Sequence, residues 1–381
     1  MKVDFAEWVQ DASLPGVSDK WIADLARTMA ASGRYLAHRE GAADVPSTGG
    51  PASLSTLLCP LFLRAAGFVV PKLGVPGRPA GGLDVMAQVR GYRTSLQPGQ
   101  IERVLEACGY AHFSAEGEFA PLDREFFRYR QANTAQALWP LVIASLLAKK
   151  LAASVRVVGL DVRVAPHGNF GADAANARRH AQRFITVSRC LGIKSSCFLT
   201  DATVPYQPYI GRSEALWALS MVFESTDSAW LAQHVEECRF IAAETTGYHD
   251  TVPRTLLGYH FFENLEAQGA DRDAFSDVVR STAAAHAPAV AATTSGRVRY
   301  DLGLLRTTVS AFQGEPNGET AYPDLAGVRL LVPPGALVEA GEPLLSVRCP
   351  AEMRDTFVAR LGDCTRVMLP KGEQTVECIN A

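Results

Sequence analysis

The sequence predicts an α/β fold: a parallel sheet joined by helices, followed by a β-rich terminal region. Three observations carry the prediction. Residues 154–164 (SVRVVGLDVRV), 171–192 (GADAANARRHAQRFITVSRCLG) and 194–201 (KSSCFLTD) read as strand, helix and strand. That is the βαβ unit of a parallel sheet, with ligand sites at the strand C-termini. Upstream, residues 130–151 (RQANTAQALWPLVIASLLAKKL) hold a Leu/Ala-rich helix with Pro140 suited to its first turn. From Ala287 onward the pattern changes to short strands and Gly/Pro turns, as in VPPGALVEAGEPLLSVRC.

Composition narrows the class. The chain has 381 residues, 48% hydrophobic and 20% charged, with a net charge of −3. That length allows two or three domains with ample core. The balance gives no electrostatic footprint for nucleic acid or an anionic membrane. No apolar run reaches the length of a membrane span, and the N-terminus (MKVDFAEWVQDA) lacks an apolar signal core. The eight cysteines show no CxxC and no metal-ligand spacing. Cys59, Cys190 and Cys197 sit in apolar surroundings and read as buried free thiols of a reducing cytoplasm. The eight histidines form no ligand cluster, so no metal and no cofactor is expected.

In chain order, residues 17–37 carry a helical pattern (Trp21, Ile22, Leu25, Met29) ending near a Ser-Gly break. Residues 41–55 (GAADVPSTGGPASLS) are Gly/Pro/Ser-rich and run into a helix begun by Leu57, Leu58 and Leu61. Residues 65–71 read as a buried strand and its approach, 99–111 as a short helix, and 121–127 as the entry to a further helical region. After the strand at 194–201, helices are expected at 213–224, 228–245 and 271–286.

Two stretches carry chemistry. Ser145 and Lys149 are four apart, hence on one helix face, and Arg130 lies fifteen residues before Ser145. A hydroxyl, an ammonium and a guanidinium fork suit a flat heterocycle with two carbonyl oxygens. The competing reading is a core helix whose lysines snorkel to solvent. In the second stretch, a glycine-rich turn ahead of a helix offers backbone N–H groups to a phosphate, although such turns are usually only loops. His167, in the loop after the strand at 154–164, is a candidate acid, against the alternative of a surface histidine.

Arg130, Ser145 and Lys149-Lys150-Leu151-Ala152, at this spacing, resemble the pyrimidine-binding segment of the thymidine and pyrimidine-nucleoside phosphorylase family. The resemblance extends in motif order from about residue 17 to the C-terminus. It implies that Arg130, Ser145 and Lys149 hold a pyrimidine ring, with Val142 and Phe170 as apolar contacts. Ser47-Thr48-Gly49-Gly50 matches the family's phosphate-binding Ser-Thr-Gly-Gly, and Thr56 its second phosphate hydroxyl. The departures fall on this side. The family's Lys-His before that motif is Val45-Pro46, and its following Asp is Ser53. Arg78 aligns with a second family histidine and offers a replacement charge; its alternative is an exposed Arg on a Pro-Gly loop.

The same resemblance implies a discontinuous helical lobe (1–38 and 118–153), an α/β phosphate-side lobe (39–117 and 154–286), and a biotinyl-carrier-like C-terminal domain (287–381). That domain has no swinging-arm lysine. A basic insertion usual before it is replaced by Gln313-Gly-Glu-Pro-Asn-Gly-Glu. A homodimer is one expectation, set against the absence of the family's first helices, which serve dimer contacts. The expected partners are a pyrimidine nucleoside or base and phosphate or a sugar phosphate, with glycosidic-bond transfer as the reaction. The alternatives are a pyrimidine-binding protein without activity and a phosphoribosyl transfer. Thymidine phosphorolysis is expected to be weak, because Val45 and Pro46 supply neither charge nor proton.

Overall fold

The computed structural model describes residues 3–50, 52–75, 77, 79–114, 118–316 and 322–368, and the backbone of 377–380. The N-terminal part holds α1 (Phe5–Ser13), α2 (Asp19–Ala30), β1 (Ala43–Asp44), α3 (Ser55–Ala65), β2 (Val70–Gly74), α4 (Gly82–Met86), α5 (Pro98–Cys108) and β3 (Tyr110–Ser114). Next come α6 (Pro121–Ala132), α7 (Trp139–Ala152), β4 (Val157–Val164), α8 (Ala174–Cys190), β5 (Lys194–Asp201), β6 (Tyr209–Ile210) and α9 (Arg212–Phe223). Helices α10 (Ala229–Thr246), α11 (Arg254–Ala267) and α12 (Arg272–Ala285) follow. The last part holds β7 (Ala287–Ala291), β8 (Gly296–Tyr300), α13 (Leu302–Phe312), β9 (Gly327–Leu330), β10 (Leu337–Val338), β11 (Pro343–Arg348), α14 (Arg354–Asp363), β12 (Thr365–Met368) and β13 (Glu377–Asn380).

The α/β class is as read from the sequence. Strands β1, β4 and β5 are parallel, and β2 and β3 form a second parallel pair. A single bridge between Ala42 and Val69 ties the pair to β1. Helix α8 makes the crossover between β4 and β5 and packs on the latter. Its N-cap is Asp173, whose carboxylate accepts from Asn176 N at 2.8 Å.

Helices from two separated stretches pack together beside this sheet. α2 lies against α7 and α6, and α1 reaches α7. Aromatic rings lock the α1 contact: Phe5 and Trp8 stand 5.2 and 5.0 Å from Phe126 of α6. On α7 almost every position is buried, so its apolar sequence reflects a helix enclosed on all sides.

The last part builds two antiparallel sheets, β10-β8-β12 and β6-β9-β11-β7, over a core of its own. It is joined to α9 by buried charges. Arg348 donates to Glu214 Oε1 at 2.7 Å and to Asp324 Oδ2 at 2.8 Å, and His286 Nε2 lies 3.0 Å from Glu214.

Several expectations need correction. The strand read with its approach at 65–71 begins at Val70 and runs on to Gly74 rather than ending at Pro71. Tyr110 and Ala111, read into a helix, open β3; Gly109 at φ +68° ends α5 just before them. Helices α1, α11, α13 and α14 lie where no helix was placed, and β13 returns to pair antiparallel with β5. Cys190 is exposed at the end of α8, whereas Cys59 and Cys197 are buried. No helix among the described residues is long and apolar enough to cross a membrane.

Candidate active site

The residues expected to hold a base lie on α6 and α7. Arg130 occupies the last turn of α6, and its guanidinium carbon lies 5.3 and 5.6 Å from the Phe126 and Phe127 ring centroids. Ser145 and Lys149 lie one turn apart on α7, and Lys149 Nζ donates to Ser145 Oγ at 2.9 Å. The same ammonium donates to Asp123 Oδ2 at 2.8 Å. The structure therefore groups Ser145 and Lys149 directly, and Asp123 interacts electrostatically with both Lys149 and Arg130.

These side chains do not snorkel: Arg130, Ser145 and Lys149 are 3%, 4% and 5% exposed. Burial lowers the pKa of Lys149 and of Arg130, and the Asp123 carboxylate opposes the shift in each. Two cations share one carboxylate, so the group carries a surplus of positive charge. Arg130 Nε and Asp123 Oδ1 are buried without a hydrogen-bond partner among the described residues. A buried donor and a buried acceptor left open in this way suit a ligand that offers both. Asp123 was missed from the sequence. Its signal was the spacing: it stands seven residues before Arg130, two turns away on the same face of α6.

A second buried network latches this helix to the strand that leads into the Ser47–Gly50 loop. Lys150, next to Lys149, pairs with Asp44 of β1, and Lys72 of β2 donates to the same carboxylate at 2.8 Å. Lys72 also donates to the Val45 carbonyl at 2.9 Å. Burial alone would raise the Asp44 pKa, but the two ammoniums overcome it and hold the carboxyl at about 2. Strand β1 feeds directly into the Ser47–Gly50 loop, so α7 and the loop are braced against one carboxylate.

The loop lies along the C-terminal half of β4. Ser47 bridges to Asp161, Thr48 N donates to Asp161 O at 3.0 Å, and Thr48 Oγ1 accepts from Arg163 N at 2.9 Å. Gly49 and Gly50 sit at φ +89° and +145°, where a side chain would be strained, which accounts for the glycine pair. Ser47 Oγ accepts from Gly49 N at 3.2 Å. Beneath the loop, Arg163 Nη2 donates to Ser53 Oγ at 2.6 Å and Ser55 Oγ at 3.2 Å and pairs with Asp161. Its guanidinium stacks 4.1 Å over the Tyr206 ring. Burial works against that charge, but Asp161 and Tyr206 outweigh it and keep the guanidinium's pKa above normal.

Thr56, on the first turn of α3, faces α4: a methyl on Gly82 would lie 3.1 Å from Thr56 Oγ1 and 2.4 Å from His112 Cε1. His112 was not singled out from the sequence. Burial, aided by Lys72, pushes its pKa down to about 3, so it stands as a neutral imidazole. Arg78 lies outside the described residues.

The remaining candidates are placed elsewhere. His167 is exposed, and its ring rests on the start of α13; a methyl on Gly303 would lie 3.0 Å from its Nδ1. Partial burial and nearby Arg306 lower its pKa. Phe170 is fully buried with His180 edge-on at 5.8 Å, and Val142 is buried in the core shared by the helices and the sheet. An open cleft of about 550 Å³ runs past Trp139, Arg179, His180 and Arg183, none of which is among these candidates.

No protein-family model matches the chain. It is 25% identical over 342 residues to a thymidine phosphorylase of Rhizobium meliloti (strain 1021), covering 83% of this chain and 76% of that one. It is also 25% identical over 365 residues to a thymidine phosphorylase of Agrobacterium fabrum, covering 89% and 82%. A third, from Mycobacterium tuberculosis, is 25% identical over 315 residues, covering 80% and 72%. Among solved structures, anthranilate phosphoribosyltransferase from Saccharomyces cerevisiae overlaps with a TM-score of 0.45 at 10% identity, over 69% of this chain and 80% of that one.

Proposed function

Because the chain is a divergent member of the thymidine and pyrimidine-nucleoside phosphorylase family, we propose that it is a pentosyltransferase acting on the N-glycosidic bond of a pyrimidine nucleoside. The observation that carries the proposal is the buried group of Arg130, Ser145, Lys149 and Asp123. When the glycosidic bond breaks, negative charge develops on the leaving ring and its carbonyl oxygens. Fixed, desolvated cations aimed there stabilise the transition state more than they would in water. Ser145 and the open valences of Arg130 and Asp123 would orient the ring edge.

On the other side, Ser47, Thr48, Gly49, Gly50 and Thr56 would receive phosphate or a sugar phosphate, with Arg78 as an added cation. We assign residues 1–38 and 118–153 to a helical lobe, 39–117 and 154–286 to an α/β lobe, and 287–381 to a biotinyl-carrier-like domain. Closure of the first two over the substrates would exclude water. Phe170 and Val142 would back the ring, and His167 would have to swing from α13 to act as acid. The free thiols fit the cytoplasmic setting we propose.

One observation favours a second reading, a pyrimidine-binding protein without phosphorolytic activity. Pro46 is buried, with its carbonyl accepting from Asp161 N at 2.9 Å, and it offers no proton to a leaving base. Loss of a general acid costs roughly 10²–10⁴-fold. The test is base release from thymidine, uridine and cytidine, followed by chromatography with and without inorganic phosphate. Slow release that requires phosphate is expected. No release from any nucleoside, alongside tight nucleoside binding, would replace the enzyme by the binding protein.

A further inference from the structure

Val45 stands where the family resemblance puts a lysine, and a guanidinium lies buried near the same loop. Arg163 is 2% exposed near the C-terminal end of β4, where ligands of a parallel sheet gather. Its position is fixed from three directions. The main chain holds Thr48, since Arg163 N donates to Thr48 Oγ1 at 2.9 Å. The stem runs beneath Gly50, where an added methyl would lie 3.6 Å from Arg163 Cγ. The guanidinium is stacked on Tyr206 and anchored through Nη2 alone, by Ser53, Ser55 and Asp161.

That anchoring leaves the other two nitrogens open, with the Tyr206 hydroxyl interacting electrostatically with the same guanidinium. Nε and Nη1 are buried without a hydrogen-bond partner among the described residues. Buried donors are rarely left open in a folded protein, least of all on a charged group. Asp161 Oδ1, on the carboxylate that pairs with Nη2, is likewise an open acceptor. A singly protonated phosphate has what this arrangement lacks: two bare oxygens for a planar fork and one P–OH for a carboxylate.

We propose that Arg163 is an anion ligand of the Ser47–Gly50 loop, its Nε and Nη1 taking two oxygens of a phosphate group held under Thr48 and Gly50. The shared chemistry is a phosphate monoester or inorganic phosphate. The biological meaning rests on the pentosyltransferase reading; the geometry does not. Because the guanidinium is buried, phosphate entry requires the chain that covers it to move. The competing role for Arg163 is a clamp that holds β4 to the loop through Asp161.

The experiment is calorimetric titration of inorganic phosphate, and separately of ribose 5-phosphate and of uridine, into wild type, Arg163→Met and Arg163→Lys. Phosphate affinity should fall about ten- to a hundredfold in Arg163→Met. In Arg163→Lys, which keeps the charge but loses the fork, it should fall several-fold. Uridine affinity should stay within about twofold in both. Tighter binding of ribose 5-phosphate than of phosphate identifies the monoester as the ligand. If Arg163→Met does not fold, Arg163→Lys decides, and unchanged phosphate affinity there overturns the inference. So does a wild type that binds neither phosphate compound. Uridine binding with Arg163-independent phosphate binding removes this inference and leaves the functional reading. Arg163-dependent phosphate binding without uridine binding does the reverse.

Discussion

The side chains proposed to hold a base stand on two packed helices, and those proposed to hold phosphate on a loop laid along the ends of β1 and β4. On the base side, Lys149 is held by Ser145 of its own helix and by Asp123 of α6. On the phosphate side, Arg163 is held by Ser53, Ser55 and Asp161, from segments more than a hundred residues apart. A helix presents its side chains at fixed intervals, so the base group can keep its geometry while its neighbours drift. A loop on a sheet edge depends on register, so each substitution there is answered by another elsewhere. Val45, Pro46 and Ser53 stand where the family resemblance puts Lys, His and Asp, and a buried guanidinium lies beneath the loop.

The two sides meet at Asp44, and breaking that joint has the largest expected effect. Asp44→Ala would leave the Lys72 and Lys150 ammoniums buried and unpaired. Stability should fall by about 3–5 kcal/mol, read from the urea midpoint. A change under about 1 kcal/mol would mean that the two sides are not braced through this carboxylate.

A smaller effect tests the phosphate side alone. His112 has its folded pKa lowered to about 3 against an ordinary 6.5, so the folded state holds it neutral. Its stabilising effect is complete above pH 6.5 and is lost as the pH falls from there towards about 3, because the unfolded chain takes the proton first. Between pH 7 and pH 5 that amounts to about 2 kcal/mol. Denaturation of His112→Gln over that range should show a correspondingly flatter pH dependence than wild type. Parallel curves would place the titration elsewhere.

How much of this was legible in the sequence follows from the same contrast. The spacing of Ser145 and Lys149 was enough to put them on one face, and the structure adds the hydrogen bond between them. The strand–helix–strand pattern at 154–201 was readable because each element keeps its own period. Arg163 was in plain view in that strand, but its meeting with Thr48, Ser53 and Tyr206 is a product of sheet pairing and crossover, which no local period records. Strand β3 was absorbed into the preceding helix, since Tyr110 and Ala111 continue its apolar pattern and only Gly109 marks the break. Asp123 lay two helical turns from Arg130, and reading charge at seven-residue intervals would have found it.

The central claim is that the base side still recognises a pyrimidine while the phosphate side has changed. Titration of uridine into wild type, Arg130→Ala and Lys149→Ala, by calorimetry without phosphate, tests it most directly. Hydrogen bonds to charged groups are worth roughly 1.5–3 kcal/mol, so each variant should bind about one to two decades more weakly than wild type. Equal affinity in all three proteins, or binding to none of them, would contradict the account.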